Sequence, residues 1–445
     1  MLRRYRFLFV SLATVVVGCT TTPAAPDGRA PDQDVGTRSD AGAHAATDAT
    51  GGDAGPCVPT TCALAHADCG RMDDGCGIPL DCGTCTDPDV CGAGGPHVCG
   101  VPSPWRNITP EGANPGDSRG FSAFAVDPND SNILYAGQCG EGVWKSMNAG
   151  VTWRRMGDPS EVAGATTGYL DNPVFIEVDP RDSRHLYAND AGWCGSFDTL
   201  GFWESFDGGD NWTSPIGFQH AEALPGSSAD VGRFDVDPGD FDHILISMRY
   251  TPDPSFGFLE STDGGDTFVL HAYPMETAGG TKGVNFLHEP SLGIGSGQTW
   301  LISSEAQGFA RTEDGGNTWT LVGTTFSGIH GGVSRIHYAP DGTLYYGATP
   351  NPLRSPDNGL TWEAIPMLFG YWQVIVGDGN LMYTMPVGSD VQLLSSLEND
   401  GLTWSPTGKV FHHNALLTFD RVGRVLYATG LDGVEAYDVG PATAP

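Results

Sequence analysis

Basic residues are scarce in this 445-residue chain: 22 Lys and Arg stand against 54 Asp and Glu, a formal net charge of −32. Such an excess of negative charge disfavours nucleic acid and anionic membrane surfaces as partners. Long apolar runs are missing too. The one apolar stretch, residues 7–17, has about eleven residues, too few to cross a bilayer as a mature helix. No stretch shows sustained helical periodicity, which argues against a helical fold. Beyond residue 100 cysteine nearly disappears, with Cys139 and Cys194 alone remaining. A disulfide framework is therefore confined to the N-terminal region.

The first residues carry an address. Arg3, Arg4 and Arg6 precede the short apolar stretch, the layout of an export signal over residues 1–18. Val16-Val17-Gly18-Cys19 resembles a bacterial lipobox. That resemblance implies cleavage before Cys19 and lipidation of it, hence a chain anchored in the bacterial cell envelope, at the outer membrane or cell surface, and touching the membrane only through this anchor. Residues 19–56 contain no aromatic residue and almost no large aliphatic one. They cannot bury enough apolar surface to offset their ordering entropy, so an acidic disordered tether is expected.

A small module follows over residues 57–100, with Cys57, Cys62, Cys69, Cys76, Cys82, Cys85, Cys91 and Cys99. So short a segment with few large apolar side chains cannot build a core, and in an oxidising compartment four disulfides are the economical reading. Spacing does not choose among the possible pairings. Zinc is disfavoured because Cys82-Gly-Thr-Cys85 is the only C-x-x-C. A rigid stalk and a binding module both remain open for this segment.

The rest of the chain is a repeat. SMNAGVTW (146–153), SFDGGDNW (205–212), STDGGDTF (261–268), TEDGGNTW (312–319), SPDNGLTW (355–362) and LENDGLTW (397–404) share one plan. A period of roughly 40–60 residues suits a four-stranded propeller blade. These copies resemble the Asp-box, or BNR, repeat of sialidases, xyloglucanases and sortilin-type propellers. Before each turn lie runs such as VFIEVDPRD (174–182) and ILYAG (133–137), rich in β-branched and aromatic residues and bounded by Asp-Pro and Gly. Seven second strands are present but only six complete turns. Trp105-Arg106-Asn107-Ile108 looks like a fourth strand without its predecessors, and the last unit, ending near Tyr437, lacks one. The expected fold is all-β: a seven-bladed β-propeller over residues 104–440, closed by its N-terminal strand and preceded by the disulfide-rich module.

The repeated turns themselves are expected to be structural. Their Asp or Asn accepts backbone N–H groups, their Gly supplies a positive φ, and the closing aromatic packs between blades. Chemistry belongs at one mouth of the ring, where crossovers between blades and the loops joining second and third strands converge. Asp171, Glu222, His288 and His413 fall in those crossovers. Among the mouth residues, Glu141, Asp190 and Glu305 are acid/base candidates, and His330, flanked by glycines, is a candidate base. Arg119 and Arg249 would hold an acidic group. Tyr169, Trp193, Tyr250, Tyr371 and Trp372 would stack on sugar rings, with His220 and His412 beside them. His185, His243, His271 and His337 lie in or beside strands and are set aside. Histidines scattered over separate blades lack metal-ligand spacing, so neither a metal nor a cofactor is expected. Cys139 and Cys194 are expected to form a disulfide across the mouth.

The family resemblances imply different activities. Sialidases use three arginines and an early Arg-Ile-Pro-type motif, which this chain does not reproduce. Xyloglucanases of this type join two propellers, with a catalytic Asp just after the Leu-Tyr-Ala strand of the first blade. Here Leu134-Tyr135-Ala136-Gly137-Gln138-Cys139 puts Cys139 near that place. Propeller polysaccharide lyases use His, Tyr and Arg, with which the mouth is compatible. The reading is a monomeric surface lipoprotein that binds a glycan, and is a hydrolase or lyase if catalytic. The alternative is a non-catalytic scaffold for a protein partner, as in sortilin-type and photosystem-assembly propellers.

Overall fold

The structure, a computed structural model, describes residues 58–65, 67–86, 90–91, 99–100, 104–116, 120–156, 170–192, 200–248, 256–275, 283–304, 307–324, 326, 335–347, 351–365, 368, 375–377, 381–397, 401–413 and 415–439. The expectations for the signal segment, Cys19 and the tether lie outside these residues. The chain divides into two compact units that part between Gly83 and Thr84, inside the cysteine-rich segment.

In the first unit, Arg71–Asp73 pairs antiparallel with Pro79–Asp81. The Asp74 carboxylate accepts the Cys76 and Ile78 amides at 2.7 and 2.9 Å and so holds the turn between these strands. Among the described residues of this unit, Ala67 and Cys69 are the only buried apolar ones. Covalent bonds take the place of a core: Cys62 is bonded to Cys82, and Cys69 and Cys76 are also in disulfides. The second unit opens with a further bridge, Cys85 to Cys99.

Beyond it, seven sheets follow in chain order, each a meander of adjacent antiparallel strands. Blade 1 comprises Phe121–Asp127, Asp130–Gln138, Gly142–Ser146 and Arg154–Arg155. Blade 7 comprises Ala415–Asp420, Val425–Gly430 and Gly433–Asp438, and takes its fourth strand, Trp105–Asn107, from the other end of the ring. The closing register pairs Tyr437 with Trp105, Ala436 with Arg106 and Glu435 with Asn107. Trp105 stacks on Tyr437 at 5.2 Å, meets Phe411 edge-on at 5.4 Å, and carries the Lys409 ammonium over its face. The first strands of blades 6, 7, 1, 2, 3 and 4 touch in succession and line the centre.

Blade 2 departs from the plan. Its sheet has three strands, Pro173–Asp179, Asp182–Asp190 and Gly201–Ser205, and Thr213 adds only a bridge to Glu204. A helix, Ile216–Glu222, follows instead of a regular fourth strand. It was not visible in the periodicity because two turns suffice to bury Phe218 and Ala221 against Phe202.

The repeated turns have one geometry. Asp207, Asp263, Asp314 and Asp357 each accept the amide four residues on at 2.8–2.9 Å, and Asn148 does so from Thr152 at 2.8 Å. The indole N–H of Trp319, Trp362 and Trp404 returns to the carbonyl of the turn glycine three residues earlier, at 2.9–3.1 Å. Only a residue at positive φ closes this loop; Gly265, for example, sits at +94°.

Across three interfaces the preceding blade reaches into the next turn. Lys145 donates to the Gly208 carbonyl at 2.9 Å, Tyr187 to Gly264 at 3.2 Å and Arg311 to Asn358 at 2.9 Å.

Trp105→Ala is expected to lower unfolding free energy by about 3 kcal/mol, because it empties the closing interface. Val151→Ala, at a side chain 78% exposed, should change it by less than about 0.5 kcal/mol. Denaturant melts of the two variants check this.

Candidate functional site

The strand order gathers the between-blade crossovers and the loops after each second strand at one mouth, and two stations of that rim are described. At the first, on blades 1 and 2, Arg155 Nη1 meets Glu141 Oε2 at 3.0 Å while its Nε donates to the Glu141 carbonyl. Asp171 lies beside them. Burial pushes its carboxyl up, with Arg155 opposing the shift and Glu141 adding to it. Its carbonyl accepts the Gly140 and Gly142 amides. Glu141 stands in the loop after the second strand of blade 1, held in an ion pair.

Asp190 differs from its expected role. It is fully buried, and its Oδ2 accepts the amides of Asp171 and Asn172 at 3.1 Å each. Those bonds use the carboxylate oxygen to anchor the crossover. Cys139, also buried, is disulfide-bonded; its expected partner Cys194 lies outside the described residues.

The second station lies on blades 6 and 7. His412 Nδ1 is 2.8 Å from Asp390 Oδ1, and His413 Nδ1 is 2.7 Å from Asp432 Oδ1. Asp432 Oδ2 also accepts both histidine amides at 3.1 Å. The hydrogen bond to Asp390 raises His412 above the usual imidazole range. Burial would raise Asp432, yet its bonds to His413 pull it below the usual carboxylate range. His412 and Asp390 keep 76% and 74% of their side-chain surface, so this pair faces solvent. Asp390 holds a φ of +52°, a left-handed backbone that Asp tolerates and that recurs at ligand sites.

Two expected mouth residues stand elsewhere. His220 is exposed on the blade 2 helix rather than in a crossover loop. His288 ends the strand Gly283–Glu289, at the hairpin side away from the mouth, where its Nδ1 bonds Asp237. Arg119, Tyr169, Trp193, Arg249, Tyr250, Glu305, His330, Tyr371 and Trp372 lie outside the described residues.

The centre of the ring holds charges that sequence reasoning missed. Arg233 and Asp235 stand on the first strand of blade 3, Val231–Asp237, and Phe175 and Glu177 on that of blade 2. Arg335 precedes the first strand of blade 5, Ile336–Tyr338. Its Nη2 meets Glu177 Oε1 at 2.6 Å, an ion pair reaching from blade 5 to blade 2. Arg233 Nη2 is 3.5 Å from Asp235 Oδ1. Both guanidiniums lie over the Phe175 ring, 4.8 and 5.9 Å from its centre. Burial pushes Asp235 up to about 6, against Arg233 and the Phe286 amide that it accepts. The available signal was a charged residue alternating with apolar ones, as in Phe-Ile-Glu-Val and Arg-Phe-Asp-Val; on an innermost strand that side faces the channel.

On the hairpin side, the histidines set aside earlier form buried networks with carboxylates. His185 bridges Asp179 and Glu204 at 3.2 and 2.9 Å. In blade 3, Glu260 takes His243 and His271 at 2.9 and 2.6 Å, and Asp237 takes His288. Burial would lower His243, but its bonds to Asp237 and Glu260 lift it to about 9. Burial would raise Glu260, but the two imidazoles bring it to about 2.

The His243 contribution to stability is full below its ordinary value of 6.5 and is lost as pH rises through about 9. That of Glu260 is full above its ordinary 4.5 and is lost as pH falls through about 2. Thermal melts of His243→Gln should therefore fall furthest below the parent between pH 4.5 and 6.5, and converge with it at the alkaline end. A constant gap across pH would contradict this.

No protein-family profile matches the chain. A xyloglucanase of a Paenibacillus species is 28% identical over 311 residues, covering 61% of this chain and 28% of that enzyme. A xyloglucanase of Hypocrea jecorina is 26% identical over 273 residues, covering 59% and 27%. The chain thus spans less than a third of the length of these curated relatives. Among solved structures, the GH74 xyloglucanase from Xanthomonas campestris superposes with a TM-score of 0.54 at 17% identity, over 77% of this chain and 54% of that one. The chain shares its propeller fold with that enzyme.

Proposed function

We propose that the ring binds a glycan across its mouth, that a lipid on Cys19 holds it at a bacterial envelope, and that its repeated turns are Asp-box turns. The observation carrying this reading is the rim itself. Glu141, Arg155 and Asp171 on blades 1 and 2, and the pairs His412–Asp390 and His413–Asp432 on blades 6 and 7, form one arc of four consecutive blades. Paired acceptors and donors of this kind suit sugar hydroxyls, and Tyr169, Trp193, Tyr250, Tyr371 and Trp372, assigned to the mouth by sequence alone, would supply stacking faces. The likeness to xyloglucanases supports a carbohydrate over a protein ligand.

The reading is of binding. Where the xyloglucanase resemblance calls for a catalytic Asp, this chain has Cys139, whose sulfur is committed to a disulfide. Cleavage of the relatives' kind would need a carboxylate at that point.

A glycan array followed by calorimetry on the full-length protein, with xyloglucan oligosaccharides in the panel, tests the reading. The expected result is saturable binding that His412→Ala weakens by about tenfold, the loss of one charged hydrogen bond, with no release of reducing ends. An intact fold that binds no glycan would instead favour the protein scaffold.

A further inference from the structure

We propose that Arg233 and Arg335 form a carboxylate-binding step in the central channel, reached from the mouth, for an acidic ligand: a uronate of a glycan or a free sugar acid. The inference rests on the reading of the mouth as a glycan site, and it names the class of glycan.

The two arginines occupy equivalent positions. Phe234 pairs with Ile246 and Ile336 with Tyr346, and the strands holding Ile246 and Tyr346 keep the same register to the Ser that opens the next turn. Arg233 and Arg335 therefore share one layer of the channel, with Phe175 of blade 2 as their common floor. Two guanidiniums so placed repel unless an anion lies between or beside them. Glu177 is engaged by Arg335 at 2.6 Å, whereas Asp235 approaches Arg233 only to 3.5 Å. Arg233 is 1% exposed, yet its Nε and Nη1 have no hydrogen-bond acceptor among the described residues. A buried guanidinium with two idle donors is costly, and a carboxylate accepting both is its natural complement.

The layer is within reach. Arg233 lies two residues, roughly 7 Å, along its strand from the mouth end. Solvent already touches its neighbours, since Arg335, Glu177 and Asp235 keep 39%, 25% and 21% of their side-chain surface. Asp235 is the internal competitor for Arg233. The groups facing it are Arg233, Glu177, Arg335, the Phe286 amide and the Tyr338 ring. As Asp235 ionises, with a midpoint at about 6, it supplies the negative charge itself and the external carboxylate should bind less well.

Calorimetry on the full-length protein with an oligogalacturonate, its neutral methyl ester and free galacturonic acid tests the proposal. The acid form should bind at least about tenfold more tightly than the ester near pH 5.5, the usual size of a charged hydrogen bond. Arg335→Gln should remove that preference and leave ester binding unchanged. Asp235→Asn should strengthen acid binding and abolish its decline above pH 6; this arm decides the matter if Arg335→Gln fails to fold. Free galacturonic acid bound as tightly as the oligomer would assign the step to small sugar acids, which supports the carboxylate step and counts against the glycan reading. Equal binding of acid and ester, or a preference unmoved by both variants, overturns the proposal while leaving glycan binding in place. Binding of no galacturonate probe overturns the carboxylate step alone; the glycan reading falls only if the array is silent as well.

Discussion

Three of the repeated turns carry a carbonyl that the preceding blade, and not their own sheet, satisfies. Lys145, Tyr187 and Arg311 are chemically unlike, yet all three reach the same point of the next turn, the carbonyl of a residue held at positive φ. A backbone acceptor partly removed from water is expensive to leave unmet. The requirement therefore fixes how far each blade is turned relative to its neighbour. Where this constraint acts, between blades 1 and 2, 2 and 3, and 4 and 5, it helps to set the ring, and the loops of the mouth follow from it. The turn aspartates take part only by holding the turn, since their oxygens are already occupied by amides and hydroxyls four residues on.

The ring also separates its ionisable groups by layer. Around the mouth they are exposed or half-exposed and paired between neighbouring segments of one blade, as with His412–Asp390 on blade 6 and Glu141–Arg155 on blade 1. In the channel they are enclosed and shifted by loss of water, as with Asp235. On the hairpin side they form imidazole–carboxylate networks whose partners hold each other charged. Only the first two layers lie where a ligand entering the mouth could meet them. The third is a stabilising device, placed where the first and second strands of a blade turn over.

Much of this architecture was readable from the chain. The spacing of the turn aromatics and the orphan strand at Trp105 led to seven blades and to the pairing with Tyr437, because closure is a matter of counting strands. The site was less legible, for a physical reason: its contacts join blades far apart in sequence. Nothing local marks Glu177 as the partner of Arg335, since that ion pair depends on two first strands facing each other over the channel. Asp190 looked like an exposed loop acid because it follows Asn189 at a strand end; only the fold turns it inward onto the amides of Asp171 and Asn172. His288 misled for a simpler reason: it belongs to the first strand of blade 4, Gly283–Glu289, and not to the crossover that precedes it.

Strand exchange between the two ends of the ring has a mechanical side. Everything N-terminal to the ring is joined to it through Trp105–Asn107, so a pull from that direction arrives first at three residue pairs and the Arg106–Asp438 ion pair at 3.0 Å. Antiparallel strands pulled along their length load all cross-links together, whereas peeling loads them singly. The clasp that completes the circle is thus the first link loaded by a pull from that side, and such a pull would be felt there before any other blade is disturbed.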